Sequence, residues 1–383
     1  MRRAFLKKCA AAGGLALLGP SAWKELFMGE GAPGLDMGFR DDAPEKLDRF
    51  SRPAAFAVRR GRLVQCVLCP HACILGENDR GYCRTRVVKD GVLQTVAYGN
   101  LCTAALDPVE KKPLYHFLPG RPILSVAIGG CNLRCLNCQN WEISQRRPAE
   151  VAEQEAFPEE LVELAVRRKI PLLAYTYSEP IVWYEYVRDT AALARRRGLR
   201  NVLVTAGFIH PRPLRELCPS IDAVTLDVKA LTPALFRRIS TARVEPVLRA
   251  LRILREEGVW VEVSFLMVPT LSDSPDEIGR FAGWVAENLG PGTPLHLLRF
   301  HPANRLLQLP PTPIEEMEQA RRRARESGLD FVYLGNVAGR EAGSTYCPRD
   351  GRLLIERDGM EVVENHLVGG RCPCGEVIPG VFT

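Results

Sequence analysis

Short apolar runs alternate with amphipathic helical patterns along the chain from about residue 120 onwards. The runs have the length of buried strands, and several helical patterns begin after Pro, Ser, Thr or Asp, as helices commonly do. Strand and helix in turn indicate a parallel sheet with crossover helices. The predicted strands are residues 123–130, 171–177, 201–207, 223–229, 259–268, 294–300 and, as a seventh candidate, 331–336. The predicted helices are residues 158–169, 181–197, 211–218, 232–239, 244–257, 275–289 and 313–327.

This pattern divides the chain into four regions. Six or so strands are fewer than the eight of a closed barrel, so the sequence predicts an α/β fold with a partial (β/α)6 TIM-type barrel over residues 120–340. A cysteine-rich region with short strand candidates precedes it at residues 51–119. Residues 341–383 are predicted to form a small β-rich appendage with cysteines of its own, and residues 1–50 a leader and a flexible linker.

The N-terminal sequence MRRAFLKK carries twin arginines and is followed by about ten weakly apolar residues. This pattern resembles a twin-arginine export signal, with a basic disordered leader as the alternative. The apolar run is too short to span a membrane, and no other segment suits that role. We therefore predict no transmembrane helix.

Composition indicates a globular chain without a nucleic-acid partner. The 383 residues are 46% hydrophobic and carry a formal net charge of +6. Basic clusters at 195–197 and 321–325 fall inside helical patterns, where a solvated helix face explains them better than a nucleic-acid patch.

Cysteine usage indicates metal chemistry. The chain has 13 cysteines, an odd number, and most of them fall into three closely spaced groups. Such clustering favours metal or iron–sulfur ligation over a disulfide framework. The groups are Cys66, Cys69, Cys73 and Cys83, then Cys131, Cys135 and Cys138, and finally Cys347, Cys372 and Cys374.

The second group lies in GGCNLRCLNCQNWEIS, residues 129–144, with the spacing C-x3-C-x2-C directly after the first predicted barrel strand. Structural zinc closes its shell with four ligands, whereas this loop offers three. A cubane cluster held by three thiolates leaves one iron without a protein ligand, and that iron can bind a cofactor or substrate. A redox or zinc loop is the alternative.

Polar residues collect at the carboxyl ends of the predicted strands, where barrels of this kind place their chemistry. We expect these side chains to surround the cofactor. The candidate cofactor-binding residues are Glu179, Thr205, Asp227, Lys229, Pro269 and His301.

The C-x3-C-x2-C loop at the first strand end resembles the radical S-adenosylmethionine (radical SAM) superfamily. Longer segments, in order DPVEKKPLYHFLPG, CQNWEISQ, YTYSEP, LDVKA, RFHP and VYLGN, resemble the AmmeMemoRadiSam system radical SAM enzyme, a relative of pyruvate formate-lyase activating enzymes. The resemblance implies a radical SAM partial barrel with a [4Fe-4S] cluster on Cys131, Cys135 and Cys138. It also implies reductive cleavage of SAM to a 5′-deoxyadenosyl radical, which abstracts a hydrogen atom from a substrate that the resemblance does not identify.

The resemblance also implies roles at the strand ends. Glu179 takes the position of a carboxylate that binds the cofactor's ammonium group, and Thr205 is positioned to hydrogen-bond the cofactor. Asp227 would bind ribose hydroxyls and Lys229 the cofactor's carboxylate, with a mutual salt bridge as the alternative. Backbone at Val268 and Pro269 would contact adenine, while His301 would face substrate or serve as a structural histidine.

Two positions depart from the expected pattern. Most members carry an aromatic residue just before the third cysteine, where this chain has Asn137, so Trp141 is the candidate for the aromatic wall over the cofactor. The family usually shows Asn where Ala206 stands. Asn140 and Ser144 are further candidates for the site.

The other two cysteine groups are separate candidate metal sites. Cys66, Cys69, Cys73 and Cys83 are a complete ligand set for zinc or for a second iron–sulfur cluster, with buried free thiols as the alternative. The C-terminal group resembles a zinc ribbon that has lost a ligand, which Asp350 or His366 would replace. The compressed spacing from Cys372 to Cys374 favours a degenerate, metal-free ribbon.

The sequence therefore predicts a radical SAM enzyme whose unidentified substrate is a protein or another large molecule. The alternative within this class is a glycyl-radical-enzyme activase, and the alternative of another class is an exported iron–sulfur protein that carries electrons without cleaving SAM. Expected partners are a reductant such as flavodoxin or ferredoxin and, from the resemblance, AMMECR1-like and Memo-like proteins. SAM dependence favours the cytoplasm, whereas the leader favours export.

Overall fold

Residues 38–383 are the part of the chain that the computed structural model describes, so the predicted export signal lies outside the described residues. Two three-stranded antiparallel sheets come first, one from β2, β3 and β4 and the other from β1, β5 and β6. These strands are β1 (Arg52–Pro53), β2 (Ala57–Arg60), β3 (Leu63–Cys66), β4 (Ile74–Leu75), β5 (Arg86–Lys89) and β6 (Val92–Thr95).

A nine-stranded sheet follows and forms the centre of the fold. Seven of its strands are parallel and adjacent in chain order, and β7 with β9 extends one edge in antiparallel pairing. The strands are β7 (Asn100–Pro108), β8 (Pro122–Ile128), β9 (Gln154–Glu155), β10 (Leu172–Tyr175), β11 (Arg200–Thr205), β12 (Ala223–Val228), β13 (Trp260–Met267), β14 (Leu295–Arg299) and β15 (Val332–Gly335).

Helices connect these strands at the positions that the periodicity predicts. Several begin with proline in the first turn, and Thr232 and Ser274 cap their helices by accepting from the backbone N–H of Leu235 and Glu277. None of the helices in the described part is long and apolar enough to cross a membrane. The helices are α1 (Trp141–Ser144), α2 (Pro148–Val151), α3 (Pro158–Arg167), α4 (Tyr184–Arg196), α5 (Pro211–Leu217), α6 (Pro233–Ser240), α7 (Val244–Glu256), α8 (Pro275–Leu289) and α9 (Ile314–Glu326).

The parallel sheet has one strand more than the predicted (β/α)6 arrangement. β15, predicted only as a seventh candidate, pairs in parallel with β14 from Leu295 to Leu298. The antiparallel strand β7 was not predicted, because its pairing with β8 is a long-range contact that local periodicity does not reveal. The outermost strands, β9 and β15, do not pair with each other, so the described sheet is open. Its closure into a partial barrel stays a prediction.

The amino ends of the parallel strands are covered by the segment between β7 and β8. Val109, Leu114 and Phe117 pack there against the first residues of the strands, such as Ile123 and Leu172. This coverage seals one end of the core, so the opposite, carboxyl end is left for chemistry.

Residues 341–383 dock on the covered end. Their three-stranded antiparallel sheet consists of β16 (Thr345–Tyr346), β17 (Leu353–Asp358) and β18 (Glu361–Asn365). Arg357 of β17 is fully buried, donates to the carbonyl of Tyr115 and lies 3.6 Å from the Glu110 carboxylate. Near the end of the chain, Val381 bridges to Phe117. The DPVEKKPLYHFLPG segment is therefore the surface on which this module rests.

Candidate functional site

The cysteine loop begins where β8 ends and runs closely against the N-terminal region. Gly130 has φ of +106°, and a Cβ at this position would lie 2.6 Å from Thr85 Cγ2 and 2.7 Å from the Cys83 carbonyl oxygen. Only glycine fits such a conformation and such a close approach. The next residue is Cys131, so the position of the first cysteine is fixed by this packing.

Backbone hydrogen bonds hold the rest of the loop. The N–H groups of Arg134 and Leu136 each donate at 2.9 Å to the last carbonyls of α6, those of Ser240 and Ile239. From the segment after β14, the Asn304 amide donates to the Cys135 carbonyl at 3.0 Å. The loop is thus tied to two strand-end segments, which gives its three partly exposed cysteines a defined arrangement.

Glu179 follows β10 and is buried beside the cysteine loop. Its Oε1 accepts from the Thr205 hydroxyl at 2.5 Å and from Ile181 N–H at 3.2 Å, and its Oε2 accepts from Ala206 N–H at 2.9 Å. Burial raises the pKa of this carboxyl, while these donors and the Lys229 charge oppose the rise. Thr205 therefore bonds to Glu179 and orients it, which differs from the direct cofactor contact that the sequence predicts.

Asp227 lies near the end of β12, Lys229 follows the strand directly, and the two form an ion pair. Lys229 Nζ lies 2.9 Å from Asp227 Oδ2, and the Ser264 hydroxyl donates to the other Asp227 oxygen. Burial lowers the pKa of Lys229, but the charges of Asp227 and Cys135 raise it by more, so the pKa is raised overall. The salt bridge foreseen as the alternative is present, and Lys229 also places a positive charge near the cysteines.

Two thiols of the loop have raised pKa values. Desolvation raises the pKa of Cys131 well above its ordinary value, with the Glu179 charge adding to it, and raises the pKa of Cys135 to about 12 against the opposing charge of Lys229. Thiols in such surroundings stay protonated at neutral pH unless a metal replaces the proton. Leu133 N–H already donates to Cys131 Sγ at 3.3 Å, an orientation that suits a thiolate.

The donor set of the loop suits an iron–sulfur cluster. Among residues 38–383, three or more His, Cys, Asp or Glu ligand atoms come within 4.8 Å of one another only at a C-terminal set, and that set includes none of the three loop cysteines. In the loop itself, buried Asn137 has a side-chain oxygen without a hydrogen-bond partner. Three thiols from one loop are a donor set that fits an Fe–S cluster held by three cysteines.

The remaining strand-end candidates lie at the same edge of the sheet. Pro269 is buried directly after β13, and its neighbour Val268 packs in a cluster with Phe300 and Leu136 of the cysteine loop. His301 follows β14 and is exposed. The structure thus places Pro269 next to the loop through Val268, while His301 faces solvent.

Of the candidate residues that follow Cys138, Ser144 and Asn140 contact the region of the cysteine loop, whereas Trp141 does not line the same space. The Ser144 hydroxyl lies 3.3 Å from Cys138 Sγ, and the Asn140 amide donates to the Tyr177 carbonyl at 2.9 Å. Trp141 instead lines a surface cavity of about 390 Å³ together with Phe39 and Arg84, and none of the three cysteines lines it. The predicted aromatic wall at Trp141 therefore faces a different space.

Sequence reasoning missed Asn304 and Ser264. Asn304 binds the Cys135 carbonyl from 169 positions away, and Ser264 donates to Asp227 from the neighbouring strand. Neither side chain belongs to a motif, and only the pairing of β12 with β13 in parallel register brings Ser264 opposite Asp227.

The first cysteine group packs directly on the loop. Cys66, Cys69, Cys73 and Cys83 are all buried and line one small cavity. His71 lies among them, and its Nε2–H donates to the Asn132 carbonyl at 2.6 Å, while burial lowers its pKa to about 4. His71 thus links the first cysteine group to the cysteine loop through a hydrogen bond from Nε2.

Comparisons with known proteins identify relatives of this chain. A family model for the radical SAM superfamily matches residues 125–285. An uncharacterized protein of Methanocaldococcus jannaschii is 46% identical over 318 residues, which cover 82% of this chain and 95% of that protein. Pyruvate formate-lyase 1-activating enzyme of Escherichia coli K12 is 26% identical over 176 residues, 45% of this chain and 71% of that enzyme. A solved structure of a radical SAM methyltransferase from Sphaerobacter thermophilus aligns with a TM-score of 0.46 at 14% identity, covering 75% of this chain and 78% of that one.

Proposed function

The chain belongs to the radical SAM superfamily, and from this premise we propose that it is an enzyme that cleaves SAM reductively to abstract a hydrogen atom from its substrate. Cys131, Cys135 and Cys138 would hold the [4Fe-4S] cluster. When bound, the cluster supplies a low-potential electron and an open iron site for SAM. The observation that carries the proposal is Glu179, a buried carboxylate fixed by three donors beside the cysteine loop.

Glu179 is suited to orient a cation. An ionised carboxylate offers about four acceptor positions, and the three bonds to Thr205, Ile181 and Ala206 leave one for an ammonium group. A positively charged partner would also offset the burial that raises the pKa of this carboxyl. The fixed carboxylate would therefore bind the ammonium of SAM with little reorganisation.

Lys229 and Asp227 complete the charge arrangement. Lys229 places its charge near Cys135, where it would stabilise thiolates, and its remaining N–H donors suit the cofactor's carboxylate. Asp227 holds Lys229 in place and is itself bound by Ser264. In this arrangement Asp227 positions Lys229. Asp227 would also bond directly to the ribose of SAM.

The test is production of 5′-deoxyadenosine by the reconstituted, reduced protein supplied with SAM. We expect product from the wild type and none above background when Cys131, Cys135 and Cys138 are all replaced by Ala. Glu179→Gln keeps the shape but removes the charge, and should lower product formation at least about tenfold at limiting SAM. The matched control is Glu287→Gln, an exposed glutamate on α8, which should behave as wild type. A loaded cluster that forms no product, with SAM binding unchanged in Glu179→Gln, would favour the exported electron-transfer alternative.

A glycyl-radical-enzyme activase is the second candidate. The similarity to pyruvate formate-lyase 1-activating enzyme over 176 residues favours it. The test supplies the enzyme with proteins from source cells grown on α-deuterated glycine. Deuterium in the 5′-deoxyadenosine product supports hydrogen abstraction from a glycine, and product without deuterium excludes it. From the resemblance of its motifs, we also propose that the protein is an AmmeMemoRadiSam system radical SAM enzyme. Its partners would then be AMMECR1-like and Memo-like proteins, and its reductant a flavodoxin or ferredoxin.

We also propose that Cys66, Cys69, Cys73 and Cys83 hold a second iron–sulfur cluster rather than zinc. Support comes from four buried sulfurs that line one cavity and lie directly beside the loop of the first cluster, where a second cluster could deliver electrons. Anaerobic reconstitution should then give about eight irons per chain in the wild type and about four in Cys69→Ser/Cys73→Ser. A variant that loses zinc and keeps its iron would instead assign zinc to this group.

A further inference from the structure

The C-terminal module brings four potential ligands to one point. The ligand atoms of Cys347, Asp350, Cys372 and Cys374 all lie within 4.8 Å of one another. Cys347 and Cys372 are buried, Cys374 is half-buried and Asp350 is exposed, so the set opens to solvent on the Asp350 side. His366, the other candidate for the missing ligand, is not part of the set and pairs with Glu364 at 3.1 Å.

Two similar turns present these ligands. In the first, Gly351 N–H donates to the Cys347 carbonyl at 2.9 Å, and in the second, Gly375 N–H donates to the Cys372 carbonyl at 2.8 Å. Both glycines have positive φ, +74° and +92°, which closes each turn behind its ligands. Cys374 N–H also donates to Cys372 Sγ at 3.4 Å, a bond that stabilises a metal-bound thiolate. Two turns facing each other thus supply two ligands each.

The distances match one tetrahedral ion. Zinc–sulfur bonds of about 2.3 Å place two sulfurs of a tetrahedral site roughly 3.8 Å apart. The Sγ atoms of Cys347 and Cys374 lie 3.7 Å apart, and Cys372 Sγ lies 3.9 Å from both oxygens of Asp350. The side chains of the three cysteines and of Asp350 therefore lie at distances close to those in a tetrahedral zinc site.

We propose that Cys347, Asp350, Cys372 and Cys374 bind one zinc ion, which holds the C-terminal module together. Three thiolates and one carboxylate are zinc ligands, and four protein ligands close the shell, as in structural sites. The short spacing between Cys372 and Cys374 favours a metal-free ribbon from the sequence alone. In the fold, Asp350 supplies the fourth ligand beside the three cysteines. The ion is structural, since the module packs on the amino ends of the strands, opposite the cysteine loop.

The module has a reason to need such an ion. Its sheet has only three short strands, and small modules of this kind are seldom stable without a metal or disulfide. Cys347 and Cys372 belong to the same buried cluster as Leu354, Ile355 and Tyr115. Zinc would therefore fix both turns against the core that joins the module to the central sheet.

The test measures zinc by mass spectrometry in the full-length protein, purified anaerobically without chelators. We expect Cys372→Ser to contain about one zinc per chain less than the wild type, with unchanged iron. Its melting temperature should fall by roughly 5–10 °C. The difference between variant and wild type is the measure, so zinc bound elsewhere in the chain does not affect the result. Equal zinc in the wild type and in Cys372→Ser/Cys374→Ser would overturn the proposal.

Asp350 is tested separately because its replacement leaves the buried cysteines in place. Asp350→Ala should weaken zinc retention against a competing chelator at least about tenfold, and Asp350→Cys should restore it. His366→Ala is the matched control, since it removes the alternative ligand and should leave zinc retention unchanged. Zinc loss in His366→Ala with retention in Asp350→Ala would contradict the assigned ligand set.

The result is independent of the proposed enzymatic function. Replacing Cys131, Cys135 and Cys138 by Ala should abolish 5′-deoxyadenosine formation and leave the zinc content unchanged. Loss of zinc in that triple variant would mean that the two sites are not separate, and would count against a structural ion in the C-terminal module.

Discussion

Cysteines gather at both ends of the central sheet, but in different arrangements. At the carboxyl ends of the strands, one loop carries Cys131, Cys135 and Cys138, which do not belong to the single-ion set of the described residues and lie beside Glu179 and Lys229. Near the amino ends, two turns bring Cys347, Cys372, Cys374 and Asp350 within 4.8 Å. The spacing of the ligands and their charged neighbours, rather than the presence of cysteine, distinguishes a reactive centre from a structural one.

The two ends of the sheet should respond differently to substitution, and the largest effect, on stability, is expected from Arg357 in the C-terminal module near the amino ends of the strands. Its guanidinium and Glu110 are both fully buried, and Arg357→Met would leave the Glu110 carboxylate without its partner. We expect the free energy of unfolding to fall by about 3–5 kcal/mol. Denaturant titration measures it, with Arg340→Met, an exposed arginine of the same module, as the control that should change by less than about 1 kcal/mol. A wild-type unfolding midpoint for Arg357→Met would show that the docking pair does not stabilise the fold.

A smaller, pH-dependent effect is expected at His116, also at the structural end. Its Nδ1–H donates to the Pro379 carbonyl at 2.7 Å, and its Nε2 lies 2.6 Å from the Tyr333 hydroxyl. Burial lowers its pKa to about 4, with the Glu262 charge opposing. The unfolded chain therefore binds more protons between pH 4 and pH 6.5, so the stability that this group contributes is present above pH 6.5 and is lost towards pH 4.

The measurement for His116 is the free energy of unfolding from pH 7 to pH 5. Wild type should lose up to about 1.4 kcal/mol per pH unit more than His116→Phe below pH 6.5. His366→Phe, at an exposed histidine, should follow the wild-type slope. Identical slopes in wild type and His116→Phe would mean that the imidazole is not held neutral in the fold.

The smallest effect is expected at the reactive end, from Thr205. Thr205→Val removes the 2.5 Å hydrogen bond that orients the Glu179 carboxylate and opposes the rise of its pKa on burial. We expect SAM affinity to fall about fivefold, corresponding to about 1 kcal/mol, with iron content and unfolding unchanged. Thr205→Ser keeps the hydroxyl and should restore affinity. If both variants lose affinity equally, the methyl group rather than the hydrogen bond is responsible.

Local patterns predicted most of the central fold. The seven apolar runs and seven helical patterns correspond to β8, β10 to β15 and the crossover helices, because strand and helix periods are properties of short segments. The antiparallel β7 was not predicted, since its partner is chosen by tertiary packing.

The candidate site was proposed from the sequence where spacing alone indicates chemistry. Cys131, Cys135 and Cys138 follow from one motif, and Glu179 from its place after β10. What sequence could not give is which polar groups meet across strands. Thr205 binds Glu179, Ser264 binds Asp227, and Asp350 rather than His366 joins the C-terminal cysteines. These pairings depend on register and turn geometry, which are set by the whole fold.

Gly130 is the point at which the loop with Cys131, Cys135 and Cys138 packs against the segment that carries Cys83 of the first cysteine group. Because glycine has no side chain, the loop approaches the Cys83 carbonyl and Thr85 closely, and the two cysteine-bearing segments pack directly against each other. Any larger residue at this position would push both segments apart at once. A substitution at Gly130 would therefore disturb both cysteine groups at once.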